Sequence, residues 1–456
     1  MTRRSPLTGP DGLAARLKPA MRAVAGELDQ RDDIPRGLLA ELRDAGALRL
    51  LTPRELGGHE APMPTVLRVY EEFGRIGASV AWIMYNANYG FIGALLGPAG
   101  TERIWAAGAT EPIFANSASP AGAAVPVEGG YRLSGHWKIV SGVNAADWVV
   151  LSAVIGDGSP PPVTGIGLRP GFRQFAVPAD LVTVKNTWHV SGMRATGSND
   201  VTVNDVFVPE ELSVRFDIPA RIDRPLYRPG YVLSLAGAGC SAIILGIAAA
   251  AIEEMVRLAA AKDDGALAGN PRVQSAVAES DAGLQAARLL LYSVAETLQA
   301  ASETGSAITT GQRAALRAAM SHAAKVSRRV LGAMYELGGS SSLYTGNPLE
   351  RLFRDGMTAA QHAGNSASAF VGAGRIRLGL DPDMPWITPA SLAALVCRMR
   401  SRRRDRGIEQ AAGTASRSGR AGRPRCASRI SRCHSRRGQD GYVRAAGPRR
   451  VGGPFS

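Results

Sequence analysis

GGYRLSGHWKIVSGVNAADWVVL, residues Gly129 to Leu151, reads as β-structure inside a chain that is otherwise mostly helical. The Gly129-Gly130 pair is a hairpin signal, Tyr131-Arg132-Leu133 alternates apolar and polar residues, and Trp148 to Val154 opens another strand. Short alternating pieces continue on both sides, from about Pro112 through Phe175-Ala176-Val177 to Val201-Thr202-Val203. Asn204-Asp205 before Val206 reads as a second hairpin turn. Upstream the period becomes helical: Gly12 to Asp32, then Pro35 to Leu50 with Leu38, Leu42 and Ala45 on one stripe. Val66, Val69, Tyr70, Phe73 and Ile76 repeat the pattern before the apolar run from Ala78 to Leu96. Downstream of Pro229 long Ala/Leu-rich patterns over 231–262, 271–302, 309–338 and 348–377 suggest an antiparallel bundle. The predicted order is helices, a small β domain, then four helices.

The 456 residues exceed the roughly 250–300 that one core serves, so two or three cooperating subdomains are expected. Hydrophobic residues make up 45% and charged residues 20%, as in ordinary globular proteins. The net charge of +14 would suggest an anionic partner were it spread over the chain. It sits instead in the last segment, where Ser391 to Ser456 hold 17 Arg against Asp405, Glu409 and Asp440. The remainder balances 36 basic against 36 acidic residues, which argues against a nucleic-acid-binding body. For the tail three readings stay open: an Arg-rich arm for nucleic acid or anionic lipid, a solvated extension, or the product of a reading-frame slip, of which the last is favoured. No apolar periodicity supports a fold there, so disorder is expected.

Of four cysteines, Cys397, Cys426 and Cys433 lie in that tail and Cys240 in an apolar run, which gives no disulfide framework and suits a reducing cytoplasm. Cys426, Cys433 and His434 lack zinc-site spacing, and no metal is expected. The N-terminus carries no signal-peptide pattern. The uncharged run from Pro229 to Ile252 is long enough to span a membrane, but its Ala, Gly, Ser and Cys content favours a buried bundle helix.

Three stretches, in this order, resemble the acyl-CoA dehydrogenase superfamily: Gly129 to Leu151; WHVSGMRATGSNDVTVNDVFVPEE, Trp188 to Glu211; and ELGGSSSLYTGNPLERLFRDGMTAAQHAGNS, Glu336 to Ser366. With LTPRELGG at Leu51 to Gly58, the resemblance covers residues 11–387. Each motif alone has a bland reading as a β turn, a loop or a charged helix face. The resemblance implies an α+β fold with an N-terminal helical domain (11–111), a central β-barrel-like domain (112–222) and a C-terminal four-helix bundle (223–387), followed by the tail at 388–456. It also implies a homotetramer, with flavin in a cleft between β domain and bundle that a neighbouring subunit helps to close. Gly237, Gly239 and Ala242 spell a GxGxxA, but no βαβ alternation surrounds it, so a dinucleotide fingerprint is rejected.

A dehydrogenase of this superfamily needs a carboxylate to remove a proton alpha to the thioester. The position for that base, eight residues after Asp355, holds Ala363, and no acid occurs between Asp223 and Glu253. The neighbouring His362, in AQHAGNS, instead resembles the superfamily's reduced-flavin monooxygenases, the branch of 4-hydroxyphenylacetate hydroxylase oxygenase components and dibenzothiophene monooxygenase. That resemblance implies a two-component enzyme: a separate NAD(P)H reductase supplies reduced FMN or FAD, and O2 forms a C4a-hydroperoxide that oxygenates a small organic substrate. His362 and Ser141 are the catalytic candidates. Asn116, Ser117, Ser119, Trp137, Ile139 and Ser141 are candidates for contact with the flavin. Trp82, Tyr85, Asn88 and Tyr89 are candidates for the substrate pocket, with Asn86 beside them. Phenol hydroxylases of this branch often place a His near Tyr89 and Gly90, so a substrate other than a phenol is expected: an amine, a thioether, a polyketide or a non-phenolic ring. An acyl-CoA dehydrogenase-like FAD oxidoreductase with an unrecognised base is the runner-up. A silent scaffold or nucleic-acid binder acting through its tail is a third reading.

Overall fold

A computed structural model describes residues 9–106, 111–156, 171–261, 266–384 and 387; the Arg-rich segment 388–456 lies outside them. Five helices come first: α1 (Leu13–Val24), α2 (Arg36–Asp44), α3 (Met63–Ile76), α4 (Ala78–Ala87) and α5 (Pro98–Ile104). Gly26 and Gly46 follow the first two, and Pro35, Pro62 and Pro98 open or precede starts, where a missing N–H costs nothing. The expected helix over Gly12 to Asp32 therefore ends at Val24, and a single 3-10 turn covers Leu28–Gln30.

The sheet comprises β1 (Phe114–Val127), β2 (Gly130–Val140), β3 (Trp148–Ile155), β4 (Phe172–Pro178), β5 (Thr183–Lys185), β6 (Asn199–Pro209) and β7 (Ser213–Val214), in the order β5-β6-β2-β1-β3-β4-β7. Only β1 and β3 pair in parallel. The Gly129-Gly130 hairpin forms as read, with Gly129 at φ +73° and Val127 opposite Gly130. Asn204-Asp205 does not form a turn. It lies within β6, where the register against β2 shifts by one between Gly135 and Leu133 and Asp205 takes φ +52°. An Asx residue tolerates that conformation in a β-bulge as well as in a turn, and local sequence does not separate the two.

Two irregularities aim residues out of the sheet. Along β1, five steps from Ser117 to Gly122 are matched by two along β3, so the Ala118 segment arches away. In β2 the register slips again between Trp137 and Val140, and Ile139 adopts φ +58°. Simple alternation would put Trp137 and Ile139 on one face; the bulge parts them.

The second helical part holds α6 (Pro229–Ala236), α7 (Gly239–Ala260), α8 (Pro271–Glu303), α9 (Thr310–Leu337), α10 (Pro348–Ala359) and α11 (Ser368–Arg377). The expected last helix is thus two, parted around His362, whose ψ of 137° leaves the helical region. Helix α7 is long and apolar enough to cross a membrane by length and composition, yet most of it is buried against α3, α8, α9 and α10. Its approach to α3 depends on two glycines: a Cβ at Gly246 would stand 2.0 Å from the Glu71 carbonyl oxygen, and one at Gly74 2.5 Å from that of Ile243. Helices α3 and α7 pack with backbones nearly touching, which fastens the N-terminal helices to the bundle.

Candidate active site

Between α4, the arched end of β1, the bulge of β2, the loop before β6 and the helices α9 and α10 lies a cavity of about 1340 Å³. Its wall includes Trp82, Tyr85, Asn88, Tyr89, Asn116, Ser117, Ser119, Ile139, Ser141 and His362, so ten of the eleven expected site residues border one space. Trp137 does not. Its ring is fully buried within the sheet, donating Nε1–H to the Ser152 carbonyl at 2.8 Å and packed over Gly122 and Gly135. Ile139 faces the cavity and is 60% exposed, an apolar β-branched side chain held in a left-handed backbone conformation. Such a residue is strained, and strain of this kind collects where a side chain is aimed at a ligand.

Ser141 is 3% exposed at the end of β2. It accepts the Trp82 indole N–H at 3.2 Å and lies 2.8 Å from Ser198 Oγ, which lies 2.7 Å from Thr196 Oγ1. Thr196 donates to the Met193 carbonyl at 2.8 Å. That last bond sets the direction of the row: Ser198 donates to Thr196 and Ser141 to Ser198. Ser141 thus presents its remaining lone pair, an acceptor.

His362 caps the 3-10 turn Ala363–Asn365, and its Nδ1 accepts the Gly364 N–H at 3.1 Å. The proton of the neutral ring is therefore on Nε2, so the ring offers a donor. Burial, aided by the charge of Arg317, pulls its pKa down to about 4, which keeps it neutral at physiological pH. The ring stands edge-on to Trp82, centroids 5.4 Å apart. Asn365, fully buried, holds the turn in place by accepting from Ser241 Oγ at 2.7 Å and donating to the Ala359 carbonyl at 3.3 Å.

The other wall residues divide by partner. Asn88 is committed to the backbone: its Nδ2 donates to Ala47 and Met84 carbonyls at 2.7 and 2.8 Å, and its Oδ1 accepts from Leu50 N at 2.6 Å. It fixes the end of α4. Tyr89 and the Gln174 amide exchange hydrogen bonds of 3.1 and 2.8 Å, and Gln174 reaches Ser152 Oγ at 3.1 Å. Burial raises the Tyr89 phenol to about 12, so it is no base at neutral pH. Asn116 donates to the Asn86 carbonyl at 3.0 Å, and Ser117 Oγ accepts from Ser119 N at 3.4 Å. Asp355 is 7% exposed and accepts the N–H of Met193, itself at φ +58°, at 2.6 Å. Arg354 binds Asp29, Glu350 and the Ser191 carbonyl. The Arg-Asp pair thus pins the 191–193 loop to α10.

Sequence reasoning missed Ser198, Thr196, Gln174, Asn365 and Arg317. The first two lie inside GMRATGSND, part of the second stretch that carries the resemblance, from which no site residue was singled out. Arg317 could have been noticed as a charge on the buried stripe of α9, with Ala314, Met320 and Ala324. Ala363 lines the cavity where a dehydrogenase would carry its base, and among the described lining residues the only carboxylate is the exposed Asp383.

A large cleft between a sheet and a helical bundle, lined by hydroxyls and one neutral imidazole, defines a flavoenzyme scaffold of acyl-CoA dehydrogenase type. The family "Acyl-CoA dehydrogenase, N-terminal domain" matches residues 13–105 and "Acyl-CoA dehydrogenase, C-terminal domain" matches 238–367. The chain belongs to the acyl-CoA dehydrogenase superfamily, in its reduced-flavin-dependent monooxygenase branch. It is 29% identical to the indole-3-acetate monooxygenase of Acinetobacter baumannii, over 79% of this chain and 92% of that protein. The crystal structure of 3-HSA hydroxylase from Rhodococcus sp. RHA1 superposes with a TM-score of 0.75 at 26% identity, covering 84% of this chain and 99% of that one. XiaF from Streptomyces sp., solved with FADH2 and glycerol, gives 0.73 at 26% identity, over 82% and 97%.

Proposed function

We propose that the chain is the oxygenase component of a two-component flavin monooxygenase, receiving reduced FMN or FAD from a separate NAD(P)H reductase and inserting one atom of O2 into a small aromatic substrate. The carrying observation is the pairing, in one cavity, of an accepting Ser141 hydroxyl with a donating neutral His362, where a carboxylate base would be needed for dehydrogenation. The runner-up dehydrogenase reading lacks that base.

The cavity residues fit a flavin. Drug-sized ligands fill about 300–1,000 Å³, so the space admits a ring system and a substrate together. Ile139 and Trp188 offer apolar surface for a planar ring, while Ser117, Ser119, Ser141 and Asn116 offer polar contacts to its edge. Bound reduced flavin supplies the electrons that activate O2, one oxygen passing to substrate and the other leaving as water. Ser141, its own proton directed to Ser198, would hold the bound ring as an acceptor. His362 Nε2–H donates to the oxygen that gains negative charge, and Trp82, Tyr85 and the apolar wall exclude water from it. Tyr89 holds the sheet-side wall through Gln174.

Exposed apolar side chains on the bundle side, Leu343, Tyr344, Val371 and Leu378, support self-association, and a homotetramer is the proposed assembly. Dependence on a reduced-flavin supply from a separate reductase supports a cytoplasmic location. The test is incubation with a flavin reductase, NADH, 18O2 and aromatic candidates headed by indole-3-acetate, which the relatives' activity suggests. Mass spectrometry should find a product carrying one oxygen-18 atom. Consumption of NADH with hydrogen peroxide as the sole product, across the panel, would count against the reading.

A further inference from the structure

Every methionine among the described residues is buried except Met357 and Met384, which are partly exposed, and both border the cavity. Met357 lies on α10 a turn after Phe353, which also borders the cavity. Met384 follows α11, where the chain folds back on that helix: a Cβ at Gly372 would stand 3.3 Å from the Met384 sulfur and 2.9 Å from Ile387 Cδ1. A flexible thioether fills an irregular wall well, and peroxide oxidises its sulfur readily to the sulfoxide.

The other sulfur groups nearby are shielded. Met63 and Met193 also belong to the wall but are 1% and 2% exposed. Cys240 is fully buried, and burial pushes its thiol up to about 12, which leaves little of the thiolate that would react with peroxide. The hydroxyls, amides and neutral imidazole of the wall are poorer nucleophiles toward peroxide than a thioether is. A cavity suited to activating O2 thus presents two open thioethers.

We propose that Met357 and Met384 are oxidation sites of the enzyme's own chemistry: when no substrate takes the oxygen, hydrogen peroxide formed in the cavity converts their thioethers to sulfoxides, and the altered wall ceases to hold the reduced flavin. The inference rests on the monooxygenase reading, which supplies the peroxide. A sulfur lone pair attacks one peroxide oxygen, an S–O bond forms as the O–O bond breaks, and the second oxygen leaves as water with the proton of the first. Each sulfur is oxidised by two electrons, and the peroxide is reduced by the same two. The sulfoxide puts a strong dipole in an apolar wall and admits water to a space whose dryness protects the oxygen chemistry. Turnover without substrate therefore ends in loss of the site, which makes the enzyme self-limiting.

The full chain is turned over with FAD, a flavin reductase, NADH and 18O2 but no substrate, with catalase present to destroy peroxide that reaches bulk solvent, and its peptides are mapped by mass spectrometry. Met357 and Met384 should gain oxygen-18 ahead of every other described methionine. The protein's delay of flavin reoxidation in rapid mixing should be lost as label accumulates. Met357→Leu with Met384→Leu, a volume-conserving change, should keep that delay. Thermal melting checks that this variant is folded, and the wild-type labelling decides the matter if it is not. Hydrogen peroxide added to flavin-free protein should modify the same two residues, a readout independent of activity. Label at neither methionine, modification of Met63 and Met193 as fast as of these two, or a delay undiminished by labelling would overturn the proposal. Wild-type protein that delays flavin reoxidation yet gains no label contradicts this inference alone, whereas protein that causes no delay contradicts the monooxygenase reading and this inference with it.

Discussion

His362 and Ser141 owe their chemistry to neighbours that fix where their protons are. With Gly364 N–H on Nδ1, the imidazole cannot act as an acceptor there, and with its pKa near 4 it does not titrate between pH 5 and 8. Turnover should therefore show no histidine limb in that range; an inflection near pH 6.5 that disappears in His362→Asn would refute the assignment. Because the folded pKa is depressed, His362 contributes stability that is present above about pH 6.5 and lost as pH falls toward 4. Asp355 has the opposite sign. Burial lifts its carboxyl to about 6, so its contribution is full below about pH 3.8 and lost as pH rises through 6, amounting to roughly 2–3 kcal/mol. Asp355→Asn keeps an acceptor for Met193 N–H. The melting-temperature difference between variant and wild type should grow in the variant's favour as pH rises from 4 to 7; a constant difference would contradict the account. At this scale the sequence showed which residue types matter but not where they point. Asn88 looked like a pocket hydrogen bonder because its three backbone bonds span the chain from Ala47 to Met84, and the Ser141 to Ser198 contact joins residues 57 apart.

Elements carry the site through departures from regularity. The β2 bulge turns Ile139 into the cavity while leaving Trp137 in the sheet, and periodicity of two, read from sequence, has no means of marking that slip. Ile139→Gly should relieve about 1–3 kcal/mol of strain, raising the melting temperature of flavin-free protein while weakening flavin retention. A lower melting temperature would show the conformation to be unstrained. The same reasoning separates two bundle glycines. Gly246→Ala drives a methyl into the Glu71 carbonyl and should cost about 1–3 kcal/mol or more, whereas Gly332→Ala on α9 meets nothing within 4 Å and should gain about 0.5–1 kcal/mol. Thermal melts of both variants check the pair. Long amphipathic helices such as α8 and α9 were legible because their burial repeats over many turns. The break between α10 and α11 was not, since no Pro interrupts residues 348–377 and the turn depends on Asn365 reaching α7.

On the scale of the whole molecule, the order of helices, sheet and helices was readable from changes in period, and the motif order supplied the superfamily. The buried α7 shows why hydropathy alone misleads: a helix enclosed on all sides by protein has the composition of one enclosed by lipid. Leu343 and Tyr344 are about 70% exposed in the single chain, and sequence patterning gives no sign of what covers them. Native mass spectrometry should find a tetramer that Leu343→Glu with Tyr344→Glu disperses; a wild-type monomer at micromolar concentration would refute the assembly.

Rapid mixing decides whether this cavity holds reduced flavin and directs O2 to a substrate. Protein loaded anaerobically with reduced FMN or FAD is mixed with oxygenated buffer, and absorbance is followed from the near-ultraviolet into the visible. A near-ultraviolet transient should persist before the oxidised-flavin band appears, and Ser141→Ala and His362→Ala should each shorten it. Immediate appearance of oxidised flavin with both cofactors, unchanged by either substitution, would contradict the monooxygenase reading.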